Sequence, residues 1–209
     1  MTEPYLLATR SLGKLYELRP MWAEAGLEVI DLDAAGIAEG AAEETLEEFE
    51  TFEENALAKA KYFRAKSGLV TIADDSGLEV QALGGAPGVR TKRWSGRSDL
   101  EGRALDVANN NFLLNKLEKK TDRRARYVCV AALVDGGGQR TFRGETEGEI
   151  LEAPRGAGGF GYDPLFLSSD LGITFAEADR AAKEQTSHRG RAFSQLIAWL
   201  SARARVGRT

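Results

Sequence analysis

The sequence predicts an α/β fold, on three observations. Short apolar runs that read as buried strands alternate with longer stretches of helical periodicity. One such run, Leu69 to Ala73, stops abruptly at two adjacent carboxylates, Asp74 and Asp75, followed by Ser76 and Gly77. The 209 residues, 43% of them hydrophobic, suffice for one sizeable α/β domain or two small lobes sharing a sheet. Open α/β sheets bind ligands beyond the carboxyl ends of their strands, so the paired aspartates mark where chemistry is expected. Two such carboxylates can hold a hard divalent cation and orient a water, as hydrolysis of a phosphate ester requires. The same residue types also make an ordinary polar turn closing a strand.

Taken in order, Tyr5 to Ala8 reads as a first buried strand. Ser11 to Ala25 follows as a helix with Leu12, Leu15, Leu18 and Trp22 on one side. The connection Thr9-Arg10-Ser11-Leu12-Gly13-Lys14 can cradle phosphate at a helix amino terminus, or be a plain junction capped by Ser11. It is not a Walker A loop, because Ala8 and Leu15 stand where that motif needs glycine and a hydroxyl. Leu27 to Asp31 reads as a second strand, and 33–50 as a mobile acidic loop without periodicity. Thr51 with Glu54 fits a capping box that opens a helix running through Lys66. Asn55 and Lys59, four apart, share one face of it.

Beyond the aspartates, Leu83 to Val89 is a compact loop. Ser98-Asp99-Leu100-Glu101 signals a helix ending near Lys120. Arg126 to Asp135 and Gln139 to Ile150, joined across glycines, read as a long antiparallel hairpin. Gly156 to Pro164 is rich enough in glycine for the backbone to approach a ligand closely, and Phe160 and Tyr162 offer flat faces for a base or a core. Lys183, Ser187, His188 and Arg189 stand near the start of a last helix whose buried side is Phe193, Leu196, Ile197 and Leu200. The tail from Arg203 to Thr209 lacks a core pattern and is expected to fray.

Composition narrows the chemistry. The balance of 28 basic against 32 acidic residues gives no argument for nucleic-acid or membrane binding. No stretch approaches the roughly 18 apolar residues of a membrane span, and the amino terminus lacks a signal-peptide pattern, so a cytoplasmic location is expected. With one cysteine, Cys129, and one histidine, His188, a zinc cluster is excluded, and a metal would be held by oxygen.

Six segments in this order resemble the inosine triphosphate pyrophosphatase family, also called the Ham1 or dITP/XTP pyrophosphatase family. They are Ala8-Thr9 with Gly13-Lys14; Thr51 to Ala56 with Lys59-Ala60; Ala73 to Leu78; Gly84 to Gly88; Gly158 to Pro164; and Lys183 with Ser187-His188-Arg189. The resemblance spans nearly the whole chain. It implies a single nucleotide pyrophosphatase domain with a long mixed β-sheet flanked by helices, two lobes around a central nucleotide-binding cleft, and a homodimer. It also implies Mg2+-dependent hydrolysis of ITP, dITP or XTP to the monophosphate and pyrophosphate, cleansing the nucleotide pool.

By the same resemblance, Thr9, Arg10, Ser11, Leu12, Gly13 and Lys14 would bind the triphosphate. Asp75 would be catalytic and bind Mg2+ together with Glu47, with Glu44 and Glu48 as alternative metal ligands. Asp74 would support the site, and Ser76 would contact substrate. Phe160, Gly161, Tyr162 and Asp163 would form the base pocket, with Lys183, His188 and Arg189 on the base and its 6-keto edge. Ser11 stands where the family usually has Asn. A non-catalytic nucleotide-binding protein and a pyrophosphatase for modified pyrimidines are the competing readings.

Overall fold

The computed structural model describes residues 3–206; Met1, Thr2, residues 207–209 and the side chains of Glu44 and 204–206 lie outside the description. In chain order the elements are β1 (Tyr5–Leu7), α1 (Leu12–Glu24), β2 (Val29–Asp31), α2 (Phe52–Ser67), β3 (Thr71–Val80), α3 (Gly102–Leu117), β4 (Arg124–Asp135), β5 (Gly138–Ile150), β6 (Phe166–Ser168), α4 (Arg180–Thr186) and α5 (His188–Val206). The six strands form one mixed sheet in the order β2-β1-β3-β4-β5-β6, so the fold is the predicted α/β class with a mixed sheet flanked by helices. β1 runs parallel to β2 and β3, with Leu7 opposite both Asp31 and Ile72. β5 and β6 are antiparallel. β4 and β5 are joined by two residues, a connection open only to antiparallel strands.

The chain divides into two compact units. The first comprises residues up to 75, 129–144 and from 189 onward. Its core gathers Leu15, Leu18, Met21 and Trp22 of α1, Ile72 of β3, Cys129 and Ala131 of β4, and Phe193 and Leu196 of α5. Trp22 meets Phe193 edge-on at 6.5 Å, which fixes α1 against α5. Leu12, placed by its spacing on that buried side, is 81% exposed, because it stands at the first turn of α1, outside the core cluster.

The second unit comprises 76–128 and 145–188. Leu78, Val80, Leu113, Leu117, Tyr127, Tyr162, Phe166 and Phe175 fill its core. Phe166 packs on Tyr127 at 4.7 Å and on Phe175 at 5.1 Å. Gly148 is required there, since a Cβ would meet the Leu167 carbonyl oxygen at 2.3 Å.

Five expectations are corrected. β3 does not stop at Ala73 but continues to Val80, so Asp74 and Asp75 lie inside a strand rather than in a turn. The 33–50 segment contains a 3-10 helix at Ala41–Thr45. The amino-terminal cap of α3 is Glu101, not Ser98, and Asp99 is instead gripped by both Nε and Nη2 of Arg97 at 2.7 Å. The last helix is two, broken at Ser187, whose extended backbone (φ −72°, ψ 155°) ends α4. Arg203, assigned to a frayed tail, lies in α5 and pairs with Asp135 at 2.6 Å, and residues 207–209 lie outside the described residues.

Candidate active site

In the first unit the site starts from a length mismatch. The β1–β3 pairing ends at Leu7 and Ile72, extended by the Ala8 N–H to the Ile72 carbonyl at 2.7 Å. β3 runs on, and its next residues are Ala73, Asp74 and Asp75. The aspartates are 1% and 6% exposed. Buried carboxylates need partners. Asp74 Oδ2 accepts from Lys14 Nζ at 2.9 Å and Arg189 Nε at 3.4 Å, with Cys129 Sγ at 3.8 Å. The Asp74 carbonyl accepts from Lys59 Nζ at 2.7 Å. Asp75 Oδ2 instead receives a neutral donor, Asn55 Nδ2, at 3.0 Å. Asn55 is itself fixed by Phe49, whose N–H donates to Oδ1 at 2.9 Å and whose carbonyl accepts from Nδ2 at 3.2 Å.

These partners push the two acids apart. Burial alone would raise Asp74, but Lys14, Arg189 and Lys59 hold it well below the usual carboxylate range. Burial raises Asp75 to about 6, with Glu47 adding to the rise and Lys59, Lys14 and Asn55 opposing it. Two titratable neighbours tuned in opposite directions are a mark of an acid–base site. Lys59 is held protonated despite its burial by Glu47, Asp75 and Asp74, and it pairs directly with Glu47.

The amino terminus of α1 adds an anion site. Ser11 caps it by accepting from the Lys14 N–H at 3.4 Å, and the Ser11 N–H goes to Thr9 Oγ1 at 3.2 Å. The Leu12 and Gly13 N–H groups make no backbone hydrogen bond among the described residues, and the first turn holds no acidic side chain. Free amides and the helix dipole thus favour an anion beside Lys14.

Arg10 does something else. Its guanidinium bonds Glu43 through Nε at 3.2 Å and Nη2 at 3.0 Å, the Ile37 carbonyl at 2.9 Å and Asp33 at 3.1 Å. These bonds anchor the acidic segment. Arg189, expected at the base, is 3% exposed and paired with Asp74 and Glu17 in this first unit, since a buried guanidinium needs carboxylates. Of the metal candidates, Glu47 meets Lys59, Glu48 is exposed, and the Glu44 side chain lies outside the description.

The second unit holds the other group. Asp163, 3% exposed, accepts at Oδ2 from Lys183 Nζ at 2.6 Å and from the Phe160 N–H at 2.9 Å. The Lys183 ammonium lies 5.1 Å from the centre of the half-buried Phe160 ring. His188, 4% exposed, stacks on Tyr127 at 4.5 Å and 7°. Ser76 is half-buried in β3. Tyr162 is a core residue, 2% exposed, with its hydroxyl donating to the Thr91 carbonyl at 2.9 Å, so its ring serves packing.

Sequence reasoning missed residues of α3. Asp106 Oδ2 accepts from the Gly161 N–H at 2.9 Å, and Asn110 Nδ2 donates to the Gly161 carbonyl at 3.0 Å. Asn109, 2% exposed, accepts from the Ser95 N–H at 2.9 Å and donates to the Lys92 carbonyl at 3.0 Å. The available signal was a polar stripe at i, i+3 and i+4, built of residues with poor helix propensity.

The donor set fits a Mg2+ ion. Asp74 Oδ1 is a buried oxygen without a partner, and the charge of Glu47 raises the Asp75 carboxyl. Among the described residues no three His, Cys, Asp or Glu side chains group around one point. Mg2+ does not demand that, because it is commonly held by one or two carboxylates with substrate phosphates and water.

The chain is similar to known proteins along almost its whole length. A Burkholderia pseudomallei protein named dITP/XTP pyrophosphatase is 44% identical over 198 residues, 93% of this chain and 92% of its own. One of the same name from Mycobacterium tuberculosis is 46% identical over 194 residues, 92% of each. The structure of the Staphylococcus aureus Ham1 protein superposes with a TM-score of 0.80 at 34% identity, covering 96% of this chain and 100% of that one. A HAM1 protein structure from Coxiella burnetii gives 0.83 at 33% identity, covering 96% and 100%. The model of the Ham1 family matches residues 5–199, and the chain belongs to that family.

Proposed function

We propose that this protein hydrolyses non-standard purine nucleoside triphosphates, ITP, dITP or XTP, to the monophosphate and pyrophosphate, and does so with Mg2+. The observation that carries the reading is the buried pair Asp74 and Asp75, the first held by Lys14 and Arg189 and the second by the neutral amide of Asn55, in the unit where the amides of α1 stand free. Relatives named dITP/XTP pyrophosphatase support the substrate class.

The roles divide by chemistry. The Leu12 and Gly13 amides and Lys14 take phosphate oxygens. Asp74 holds the Lys14 and Arg189 side chains in place. Asn55 holds Asp75 Oδ2, leaving Oδ1 to accept a proton from the attacking water. The water oxygen bonds to the α-phosphorus, the bond from that phosphorus to the bridging oxygen breaks, and pyrophosphate departs with that oxygen. Asp75 and Glu47 would hold Mg2+, which supplies charge neutralisation on the phosphates. Phe160 offers a stacking face, while Lys183 and His188 provide donors suited to a 6-keto purine.

The test is a release assay with ITP, XTP, GTP and ATP, with and without Mg2+. Magnesium-dependent pyrophosphate release from ITP and XTP, with GTP and ATP largely spared, is expected. Release of single phosphate would put cleavage at the other bond and overturn the reading.

A further inference from the structure

Gly161 sits between Phe160 and Tyr162 with φ +62°, a left-handed conformation in which its peptide groups cannot join a sheet ladder. Both of its backbone groups are nevertheless bonded, and both by side chains of one helix: the N–H by Asp106 and the carbonyl by Asn110, one turn apart on α3. On the same face Asn109 bonds the backbone of Lys92 and Ser95. α3 is therefore a rigid bracket for two irregular segments. What the bracket fixes is specific. The residue before Gly161 carries the Phe160 ring, whose own N–H is held by Asp163, and Asp163 in turn holds Lys183. Tyr162, the residue after, is locked in the core through Thr91. With both flanks pinned, Gly161 is the joint whose orientation sets the plane of Phe160.

We infer that Asp106 and Asn110 are positioning residues for base recognition: they hold the Gly161 peptide so that Phe160 presents its face, and Lys183 its ammonium, to the purine of the substrate. This rests on the proposed nucleotide pyrophosphatase function and adds to it two residues that act through the Gly161 backbone. Because they organise binding of the base rather than the reacting phosphates, their loss falls on affinity. Removing one hydrogen bond to Gly161 raises the KM for ITP by about fivefold to tenfold, with kcat within about threefold of wild type.

The experiment compares wild type with Asp106→Ala, Asp106→Asn, Asn110→Ala and Asn110→Asp. It measures kcat and KM for ITP, the Kd for ITP by calorimetry without metal, and the thermal midpoint. Asp106→Asn keeps an acceptor for the Gly161 N–H and is expected to stay within about twofold of wild type. Asn110→Asp sets an acceptor against the Gly161 carbonyl and is expected to lose affinity as Asn110→Ala does. KM and Kd unchanged in folded Asp106→Ala and Asn110→Ala, or Asp106→Asn as impaired as Asp106→Ala, would overturn the inference. If an alanine variant does not fold, the Asp106→Asn and Asn110→Asp pair decides by the same criterion. Wild type that neither binds nor hydrolyses ITP would instead sink the underlying function, so the two failures are distinct.

Discussion

Asp74 and Asp75 are sequence neighbours in one strand, and their surroundings give them different chemistry. Asp74 is the counter-ion of Lys14 and Arg189; Asp75 faces a neutral amide and the like charge of Glu47. Burial and the Glu47 charge therefore push the Asp75 carboxyl up to about 6. If Asp75 holds Mg2+ as proposed, protons compete for it, so metal binding is expected to weaken by up to about tenfold per pH unit below 6 and to release about half a proton per ion at pH 6, approaching one near pH 5. Calorimetry in buffers of different ionisation enthalpy measures that release. Binding independent of pH between 5 and 7 would take Asp75 out of the metal site. The adjacent acids were legible in the sequence, but their division of labour was not. It depends on Lys14, Asn55, Lys59 and Arg189, which come from three different helices.

At the scale of elements, the 33–50 segment is the clearest departure from the sequence reading. Composition without periodicity suggests a mobile loop. Arg10 supplies what local pattern could not, a long-range anchor that bonds three of its residues. Glu47 follows four residues after Glu43, just past the 3-10 helix, and meets Lys59 of α2. Arg10→Ala is therefore expected to leave ITP affinity nearly intact while raising the Mg2+ concentration for half-maximal activity, and to weaken Mn2+ binding measured by electron paramagnetic resonance in the absence of nucleotide. Arg10→Lys, which lacks the planar fork, restores little of either. A large loss of ITP affinity with unchanged Mn2+ binding would return Arg10 to the phosphate ligands. The continuation of β3 past Ala73 was hidden for a related reason: Asp, Ser and Gly have low strand propensity, and only tertiary pairing keeps them extended.

For the whole molecule, the strand and helix order and the α/β class were readable from periodicity and caps, and Ser11 and Thr51 cap as the sequence suggests. The bracket on α3 and the placement of Arg189 with Asp74 and Glu17 were not, since each is a contact between distant parts of the chain. Among the described residues no helix is long and apolar enough to cross a membrane. Asp75 also bears on stability. A carboxylate whose folded-state pKa is raised from 3.8 to about 6 opposes folding above pH 6, and the penalty fades as pH falls through that range to below 3.8. Asp74, depressed, stabilises the fold above about pH 4 and loses that contribution in stronger acid.

Asp75→Asn is the measurement that tests the central claim most directly. Asparagine keeps an acceptor for Asn55 but removes the charge and the proton acceptor. The expected result is a loss of ITP turnover of about 10²–10⁴-fold with measurable ITP binding retained. It also includes a fold more stable at pH 7 by on the order of 1–3 kcal/mol, an advantage that vanishes near pH 4. Turnover within about tenfold of wild type, or a variant destabilised at neutral pH, would contradict the account of Asp75 as a buried carboxylate held at a cost to stability for the sake of catalysis.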